Sequence, residues 1–320
     1  MTQEKVKKDE WAASEEQPKY LWMSGKQIEW DKATVHASKL GWSSISMVFE
    51  GIRGYWNSEQ EQLHIFQLEA HIKRLFQSMK IMRMTSRWSS DELTESIIKL
   101  ASDNEFHDDC YIQPLAYFGD DVPGYLAVVE KPGEIAIISR KASSILGSGR
   151  TATGGISSWT RIADNVMPPR AKAISNYQNS RYVADEAQVR GYEFGIILNQ
   201  QGKVAEASYA CVYMIRDGVA ITPPVTAGIL ESITRTVVKE LLERELGVPV
   251  VEREMDRTEL YIADEVFICG TGAEIQIINN VDGYQIGDGD SWPISSRVEQ
   301  LYHDIVRGKS GHAEWLTGDY

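Results

Sequence analysis

Apolar segments of two different periods alternate along the whole chain, and this alternation restricts the possible folds more than any other feature. Residues 62–66 have the composition of a strand, and residues 89–92 have the Ser-x-x-Glu pattern of a capping box that begins a helix reaching about residue 104. Between these segments, apolar residues recur at helical spacing at Leu68, Ile72, Leu75 and Met79. Short strands mixed with amphipathic helices, without repeats, predict an α+β fold.

The second half of the sequence has the same mixture of elements. A helix is predicted over residues 175–190, where a glycine follows as a stop signal, and an amphipathic helix is predicted over residues 229–246. Between them, residues 211–221 have the pattern of a hairpin that turns at an Asp-Gly pair. Further strands are predicted at residues 111–115, 134–138, 195–198 and 266–269.

The clearest break in this pattern lies at residues 160–168, which are polar, lack periodicity and run into two prolines. We therefore expect a small N-terminal α+β domain over residues 19–159 and a larger C-terminal α+β domain over residues 169–320, joined by this loop. Residues 1–18 are expected to form a disordered tail. Ligand clefts favour domain interfaces, so the functional site is expected between the two lobes.

Composition excludes several classes of protein. A net charge of −13 argues against a nucleic-acid partner, because affinity for phosphate backbones comes from a basic surface. No stretch approaches the roughly 20 apolar residues of a membrane span. Three widely spaced cysteines indicate free thiols in a reducing cytoplasm, and the six histidines show no metal-ligand spacing.

One lysine stands out for its surroundings. Lys172 lies between Ala171 and Ala173 at the start of a predicted helix, with Tyr177 five positions later, and Glu206 opens a strand further on. A lysine that forms a covalent bond must lose its proton, and small neighbours leave room for a planar ring. On the local sequence alone, a solvated lysine at a helix start is the commoner outcome.

The order and content of the motifs resemble the class IV (branched-chain-type) aminotransferases. That family carries a lysine in a run of small residues ending in Asn-Tyr, as at residues 171–177, and then a glutamate among small residues, as at residues 205–208. Further matching segments are residues 48–53, 71–75, 201–204, 217–218, 222–224, 233–235, 263–265 and 270–274. The resemblance extends from about residue 20 to residue 310. It implies a two-lobed α+β structure of pyridoxal phosphate (PLP) fold type IV, like D-amino acid and branched-chain aminotransferases.

The resemblance implies pyridoxal 5'-phosphate as the cofactor of a transaminase and a role for each matching residue. Lys172 would hold the cofactor as a Schiff base and move the proton in a ping-pong reaction. Glu206 would keep the pyridine nitrogen protonated, so that the ring accepts electrons, and Tyr177 would bind the phenolic oxygen. The phosphate would be held by Arg74 and by donors at Ile233, Thr234, Gly270, Thr271 and Gly272.

The substrate pocket departs from the branched-chain pattern at two points. The family has an arginine in a Tyr-Ile-Arg-Pro strand, where it binds the side-chain carboxylate of glutamate, and this chain has Gln113 there. Residues 43–47 also lack the tyrosine that the family carries in this region. A neutral amide loses a charge-assisted bond of about 1.5–3 kcal/mol. These departures favour an (R)-selective amine transaminase, with a branched-chain amino acid aminotransferase as the alternative.

Arg161, in the predicted interdomain loop, is expected to act as a mobile clamp on the carboxylate of the acceptor, with a solvent-facing arginine as the alternative. A D-amino acid aminotransferase and an aminodeoxychorismate lyase share these cofactor residues and stay open. A catalytically silent binding protein is a remoter alternative, because a site without function would lose some of these residues. The resemblance also implies a homodimer or higher homo-oligomer, acting on a small amine or amino acid and a 2-oxo acid. The expected substrate-binding residues are Phe49, Tyr111, Gln113, Trp159, Arg161, Thr271 and Gly272.

Overall fold

Two β-sheets of nine strands each organise the described part of the chain, residues 17–36, 42–119 and 130–318 of a computed structural model. The predicted tail, residues 1–18, lies almost wholly outside the described residues. The first sheet contains β1 (Tyr20–Met23), β2 (Lys26–Glu29), β3 (Val48–Phe49), β4 (Ile52–Asn57), β5 (Gln62–Phe66), β6 (Met84–Thr85), β7 (Cys110–Phe118), β8 (Lys131–Lys141) and β18 (Leu316–Gly318). The second contains β9 (Thr151–Thr160), β10 (Phe194–Leu198), β11 (Val204–Ala207), β12 (Cys211–Arg216), β13 (Val219–Thr222), β14 (Val250–Glu252), β15 (Glu265–Gly270), β16 (Glu274–Val281) and β17 (Tyr284–Gln285).

Helices pack on both sheets, which confirms the predicted mixture of strands and helices. Two of them, α2 and α3, pack on each other and share an apolar core with the first sheet. Among the described residues, no helix has the length and apolar character needed to cross a lipid bilayer. The helices are α1 (Trp42–Ile45), α2 (Leu68–Ile81), α3 (Ser90–Asp103), α4 (Ile174–Val189), α5 (Ile233–Glu240), α6 (Arg257–Tyr261) and α7 (Pro293–Val306).

The predicted capping box at the start of α3 is present. The backbone N–H of Glu92 donates to Ser89 Oγ at 3.1 Å, and the backbone N–H of Ser89 donates to the Glu92 carboxylate at 2.7 Å. Each bond satisfies an N–H group that has no partner within the helix. The buried residues of α3 lie on one face, as the spacing of its apolar positions requires: Leu93, Ile97, Leu100 and Ala101.

Helix α5 begins later than the predicted helix over residues 229–246. Ser232 is its N-cap and accepts a hydrogen bond from the backbone N–H of Arg235 at 3.2 Å. A 3-10 turn ahead of it ends at Gly228, whose φ of 86° is left-handed and open to glycine at little cost. Residues Leu241–Glu245 continue the helix as a π turn. The apolar period of the sequence therefore begins ahead of the helix, at Ile229 and Leu230, whose backbone is not helical.

The chain does not cross between the two sheets at residues 160–168, and the predicted domain boundary there stays a prediction. Strand β9 lies in the second sheet, where it runs parallel to both β10 and β16. Strand β18 returns to the first sheet, where it pairs with β5. The chain therefore crosses between the sheets ahead of Thr151, and it crosses back near its C-terminal end. The polar residues and prolines at 160–168 predict a loop. They do not predict which sheet β9 joins, because the strands that pair with β9 are distant in sequence.

The alternation of β7 and β8 separates a core side from a second side, which we call the open face of the first sheet. Even-numbered residues of β7 are buried under α2 and α3, whereas Tyr111, Gln113 and Leu115 point the other way and are partly exposed. In the antiparallel register, Tyr111 pairs with Arg140 and Gln113 pairs with Ile138, so these side chains share one face. Phe49 of β3 pairs with Leu115 on that face.

A buried arginine joins the two sheets. Arg53 of β4 is 4% exposed and donates to the carbonyl oxygens of Ala142 and Ser143 at 3.0 and 3.1 Å, and to that of Thr271 at 3.1 Å. Its guanidinium also lies 3.6 Å from the carboxylate of Glu274, which has no exposed surface. One cation thus holds the crossing segment against the turn between β15 and β16.

Replacing Arg53 by methionine should lower the free energy of unfolding by about 3–5 kcal/mol, because the carboxylate of Glu274 then stays buried without its cation. Urea unfolding followed by circular dichroism measures this change. The control is Arg181→Met, which removes an arginine whose side chain is 69% exposed and should cost less than about 0.5 kcal/mol. Equal unfolding midpoints for the two variants would contradict this role of Arg53.

Candidate active site

The main chain around Lys172 is held by the first half of the protein. The backbone N–H of Phe49 donates to the carbonyl of Lys172 at 2.9 Å, and that of Ile174 donates to the carbonyl of Met47, also at 2.9 Å. The backbone N–H of Lys172 donates to Ser78 Oγ of α2 at 3.1 Å. The lysine is therefore fixed where the two sheets meet, directly ahead of α4.

The side chain of Lys172 lies among aromatic groups. Its Nζ donates to Tyr177 Oη at 2.6 Å and lies 4.7 Å from the centre of the Phe49 ring. Burial lowers the pKa of this amine below its ordinary value, and the guanidinium of Arg74 lowers it further. Since the unprotonated amine is the nucleophilic form, these surroundings suit a lysine that bonds covalently to a carbonyl carbon.

Glu206 of β11 is buried against Arg161. Its Oε1 lies 3.0 Å from Arg161 Nη2, and its Oε2 accepts a hydrogen bond from the backbone N–H of Leu230 at 3.0 Å. Burial raises the pKa of Glu206, and Arg161 opposes that rise. A second positive group would balance the carboxylate further, and a protonated pyridine nitrogen is such a group.

In this pairing Arg161 is not exposed to solvent, and its expected role as a mobile clamp on a substrate carboxylate stays a prediction. Arg161 is 5% exposed, and its Nε donates to the carbonyl of Gly228 at 2.9 Å. Its guanidinium is thus held by Glu206 and the main chain. A charged residue in a polar loop is expected to be exposed. Arg161 is buried because its partner, the carboxylate of Glu206, lies on a strand that is distant in sequence.

Arg74 belongs to a buried cluster with Glu50 and His71. Its Nε and Nη2 each donate to the carboxylate of Glu50 at 2.7 Å, and its Nη1 donates to the carbonyl of Glu231 at 2.9 Å. His71 Nδ1 lies 2.8 Å from the same carboxylate. Burial opposes ionisation of Glu50, but Arg74 holds the pKa of this carboxyl well below its ordinary value. Two of the five N–H groups of Arg74 remain for an anion, beside the segment that leads into α5.

The sequence did not predict that Glu50 is the partner of Arg74, although the two residues lie in the matching segments 48–53 and 71–75. The only signal was a carboxylate among apolar residues in the segment 48–53, immediately ahead of a glycine. The sequence also did not predict the role of Ser78, which gave no signal because its use depends on a contact with Lys172.

Donors for a phosphate lie at the start of α5 and at the turn after β15. The N-cap Ser232 accepts from Arg235, which leaves the first-turn N–H groups of Ile233 and Thr234 without an acceptor within the helix. These N–H groups and the helix dipole favour an anion. At the other turn, a Cβ on Gly270 would lie 3.3 Å from the carbonyl of Tyr209, so little space separates the two segments.

Most of the predicted substrate residues lie near Lys172, on the open face of the first sheet or in the turn between β15 and β16, whereas Trp159 lies on the surface. Phe49 contacts Tyr177 with ring centroids 4.8 Å apart, and Tyr111 lies so close to Gly51 that a Cβ there would be 1.7 Å from its hydroxyl. Gln113 shares their face of the sheet, and Thr271 and Gly272 accept hydrogen bonds from Arg53. Trp159 is 46% exposed and stacks on Tyr182 of α4, with ring centroids 4.8 Å apart. The substrate roles of all these residues stay predictions.

The arrangement fits pyridoxal phosphate. It provides a buried amine with a lowered pKa, a buried carboxylate that favours a cationic partner, and anion donors beside an arginine with free N–H groups. Fold and site together define a PLP-dependent aminotransferase. The chain belongs to the family described as amino-transferase class IV, whose model matches residues 47–281.

Relatives resemble this chain over nearly its whole length. A probable branched-chain-amino-acid aminotransferase of Aquifex aeolicus is 37% identical over 302 residues, covering 94% of this chain and 97% of the relative. The branched-chain-amino-acid aminotransferase of Escherichia coli is 35% identical over 294 residues, covering 91% and 94%.

Solved structures give the same result for the fold. The branched-chain amino acid aminotransferase of Thermobaculum terrenum in its PLP form has a TM-score of 0.91 and 43% identity, covering 95% of this chain and 99% of that one. The T.th. branched-chain amino acid aminotransferase complexed with N-(5'-phosphopyridoxyl)-L-glutamate has a TM-score of 0.86 and 32% identity, covering 94% and 98%. The predicted fold type, enzyme class and cofactor are thereby confirmed.

Lys172→Ala should abolish covalent retention of the cofactor. After borohydride reduction and denaturation, mass spectrometry should find a pyridoxyl group on the wild type at Lys172 and none on the variant. The control is Lys203→Ala, because Lys203 pairs with Asp256 at 2.7 Å on the surface. It should retain the group as the wild type does, and a modified Lys172→Ala chain would refute the assignment.

Arg161→Met should weaken binding of the cofactor by about tenfold, because it removes a charge-assisted contact that opposes the raised pKa of Glu206. Since Glu206 must be ionised to hold a protonated pyridine, the loss should grow as the pH falls. Fluorescence titration with pyridoxal phosphate at several pH values measures this. The control is Arg170→Met, from the same segment and 42% exposed. Unchanged cofactor binding with a raised KM for the oxo acid would restore the clamp hypothesis.

Proposed function

We propose that the protein is a branched-chain amino acid aminotransferase, which moves the amino group of leucine, isoleucine or valine to a 2-oxo acid. The observation that carries this proposal is the similarity to aminotransferases with that name over more than nine-tenths of the chain. This similarity favours the alternative drawn from the sequence over the preference for (R)-amines. The apolar Phe49 beside Lys172 is compatible with an aliphatic side chain.

Bound pyridoxal phosphate supplies an electron sink for the pair of electrons left when the α-proton of the donor is removed. The residues of the chain supply the rest. Lys172 anchors the cofactor and, when released, moves the proton from the α-carbon, for which its lowered pKa suits it. Tyr177 orients the amine through the bond at 2.6 Å. Glu206, held by Arg161, keeps the pyridine nitrogen protonated, and Arg74 with the start of α5 holds the phosphate.

An (R)-selective amine transaminase is the second candidate, favoured by one observation. Gln113 on the open face is neutral, so this position offers no cation to a substrate carboxylate. The T.th. enzyme, whose structure was solved with a phosphopyridoxyl-glutamate, weighs on the other side, because it indicates glutamate as a donor for a chain of this fold.

A homodimer or larger assembly in the cytoplasm is part of the proposal. Trp159 and Tyr182 stack on each other while 46% and 44% exposed, and an apolar pair of this kind supports a subunit contact. Cys110, Cys211 and Cys269 are free and buried, which supports a reducing compartment.

The half-reaction with single donors tests the proposed function. The holoenzyme is mixed with L-leucine, L-glutamate, (R)-1-phenylethylamine or (S)-1-phenylethylamine. The long-wavelength absorbance of the lysine-bound cofactor, which disappears when the cofactor accepts the amino group, is followed. We expect fast loss of absorbance with leucine and glutamate and slow or no loss with either amine. Loss with the (R)-amine and none with leucine would replace this proposal by the second candidate. Lys172→Ala is the control and should react with none of them.

A further inference from the structure

The open face of the first sheet borders the site. Phe49 belongs to this face through its pairing with Leu115, and the Lys172 amine lies 4.7 Å from the centre of its ring. Tyr111 belongs to it as well, and its hydroxyl lies against Gly51, two residues after Phe49. A substrate held at Lys172 therefore faces the side chains of β7 and β8 that point to this side.

Two arginines lie on this face, and one of them already has hydrogen-bond partners within the protein. Arg53 pairs with Tyr111 in the register between β4 and β7. Its guanidinium is buried and donates to three carbonyl groups within 3.1 Å, while Glu274 lies 3.6 Å away. Arg53 thus serves the contact between the sheets.

The second arginine, Arg140 of β8, has N–H groups that can bind a ligand. It is partly exposed, and its guanidinium carbon lies 5.1 Å from the centre of the Tyr111 ring, which is its direct partner across the strands. Within the described ranges, no carboxylate lies within ion-pair distance of this guanidinium. A cation–π contact uses the charge of the guanidinium and none of its N–H groups as a conventional hydrogen-bond donor, so these groups stay available to a ligand.

The position of Arg140 compensates for the neutral residue at 113. Gln113 pairs with Ile138, so Arg140 is its diagonal neighbour on the adjacent strand, at about 7–8 Å between the backbones. An arginine side chain spans that distance. The positive charges of Lys172 and Arg140 both act on the Tyr111 hydroxyl and oppose the burial that raises its pKa, so both lie close to it.

We propose that Arg140 binds the distal carboxylate of glutamate and of 2-oxoglutarate. This inference rests on the proposed transaminase function and assigns to Arg140 the contact with an acidic substrate side chain. The guanidinium offers two parallel N–H groups to the carboxylate, while the Tyr111 ring lies against one side of it. Leucine places a methyl-bearing carbon in the same space and needs no cation, so one pocket accepts both kinds of side chain.

The test compares the half-reactions of L-glutamate and L-leucine in variants of the holoenzyme. Arg140→Met should lower kcat/KM for glutamate about 10- to 100-fold and leave that for leucine within about threefold, because only glutamate carries a distal charge. Arg140→Lys should recover part of the loss. Adding Gln113→Arg to Arg140→Met should recover most of it, by placing the cation on the neighbouring strand.

The matched control is Lys141→Met, which removes one positive charge from the next residue of β8. Lys141 pairs with Asp108 at 3.1 Å, and this variant should leave both half-reactions unchanged. Circular dichroism and cofactor content show that each variant is folded.

Equal loss for both donors in Arg140→Met would overturn the inference, as would an unchanged rate with glutamate or a wild type that does not react with glutamate. Failure of the proposed function is a different result. It is a wild type that fails to react with leucine, whatever its rate with glutamate.

Discussion

The pairing of the lysine segment with β3 is the constraint on which the site depends. Two backbone hydrogen bonds, and a third that the backbone N–H of Lys172 donates to Ser78 Oγ, fix the lysine segment to the first half of the chain. The residues that surround its amine come from both sheets, so the chemistry requires that the sheets keep one relative position. Arg53 contributes to this from the other side of the site, because it holds the turn between β15 and β16.

Each buried carboxylate of the site has an arginine as its partner. Glu50 neutralises part of Arg74, and Arg161 neutralises part of Glu206, while the Lys172 amine lies near both arginine and carboxylate groups. Burial alone would neutralise the carboxylates, and the arginines prevent this. Of Arg74 and Lys172, the lysine loses its proton more easily, because its pKa is lowered whereas that of Arg74 is raised. That is the order of protonation that a covalent lysine and a protonated pyridine require together.

The sequence predicted the parts of the fold and site that depend on neighbours along the chain. The capping box of α3, the hairpin of β12 and β13, and the motif around Lys172 all depend on such local patterns. The sheet to which β9 belongs and the burial of Arg161 depend on partners far away in sequence. The spacing of residues in the sequence carries no information on such partners. A charged residue in a loop is therefore predicted to be exposed to solvent, unless the structure shows a carboxylate that pairs with it. Arg140 was missed for the same reason, since its meaning comes from the register with Tyr111.

The return of β18 to the first sheet has a consequence for biosynthesis. Its residues pair with β5, and the carbonyl of Trp315, immediately ahead of β18, accepts a hydrogen bond from the backbone of Gln67 at 2.8 Å. A ribosome produces β5 long before the strand that covers its edge. The nascent first sheet therefore has an open strand edge while the whole second sheet is being synthesised, and such edges invite pairing with other chains.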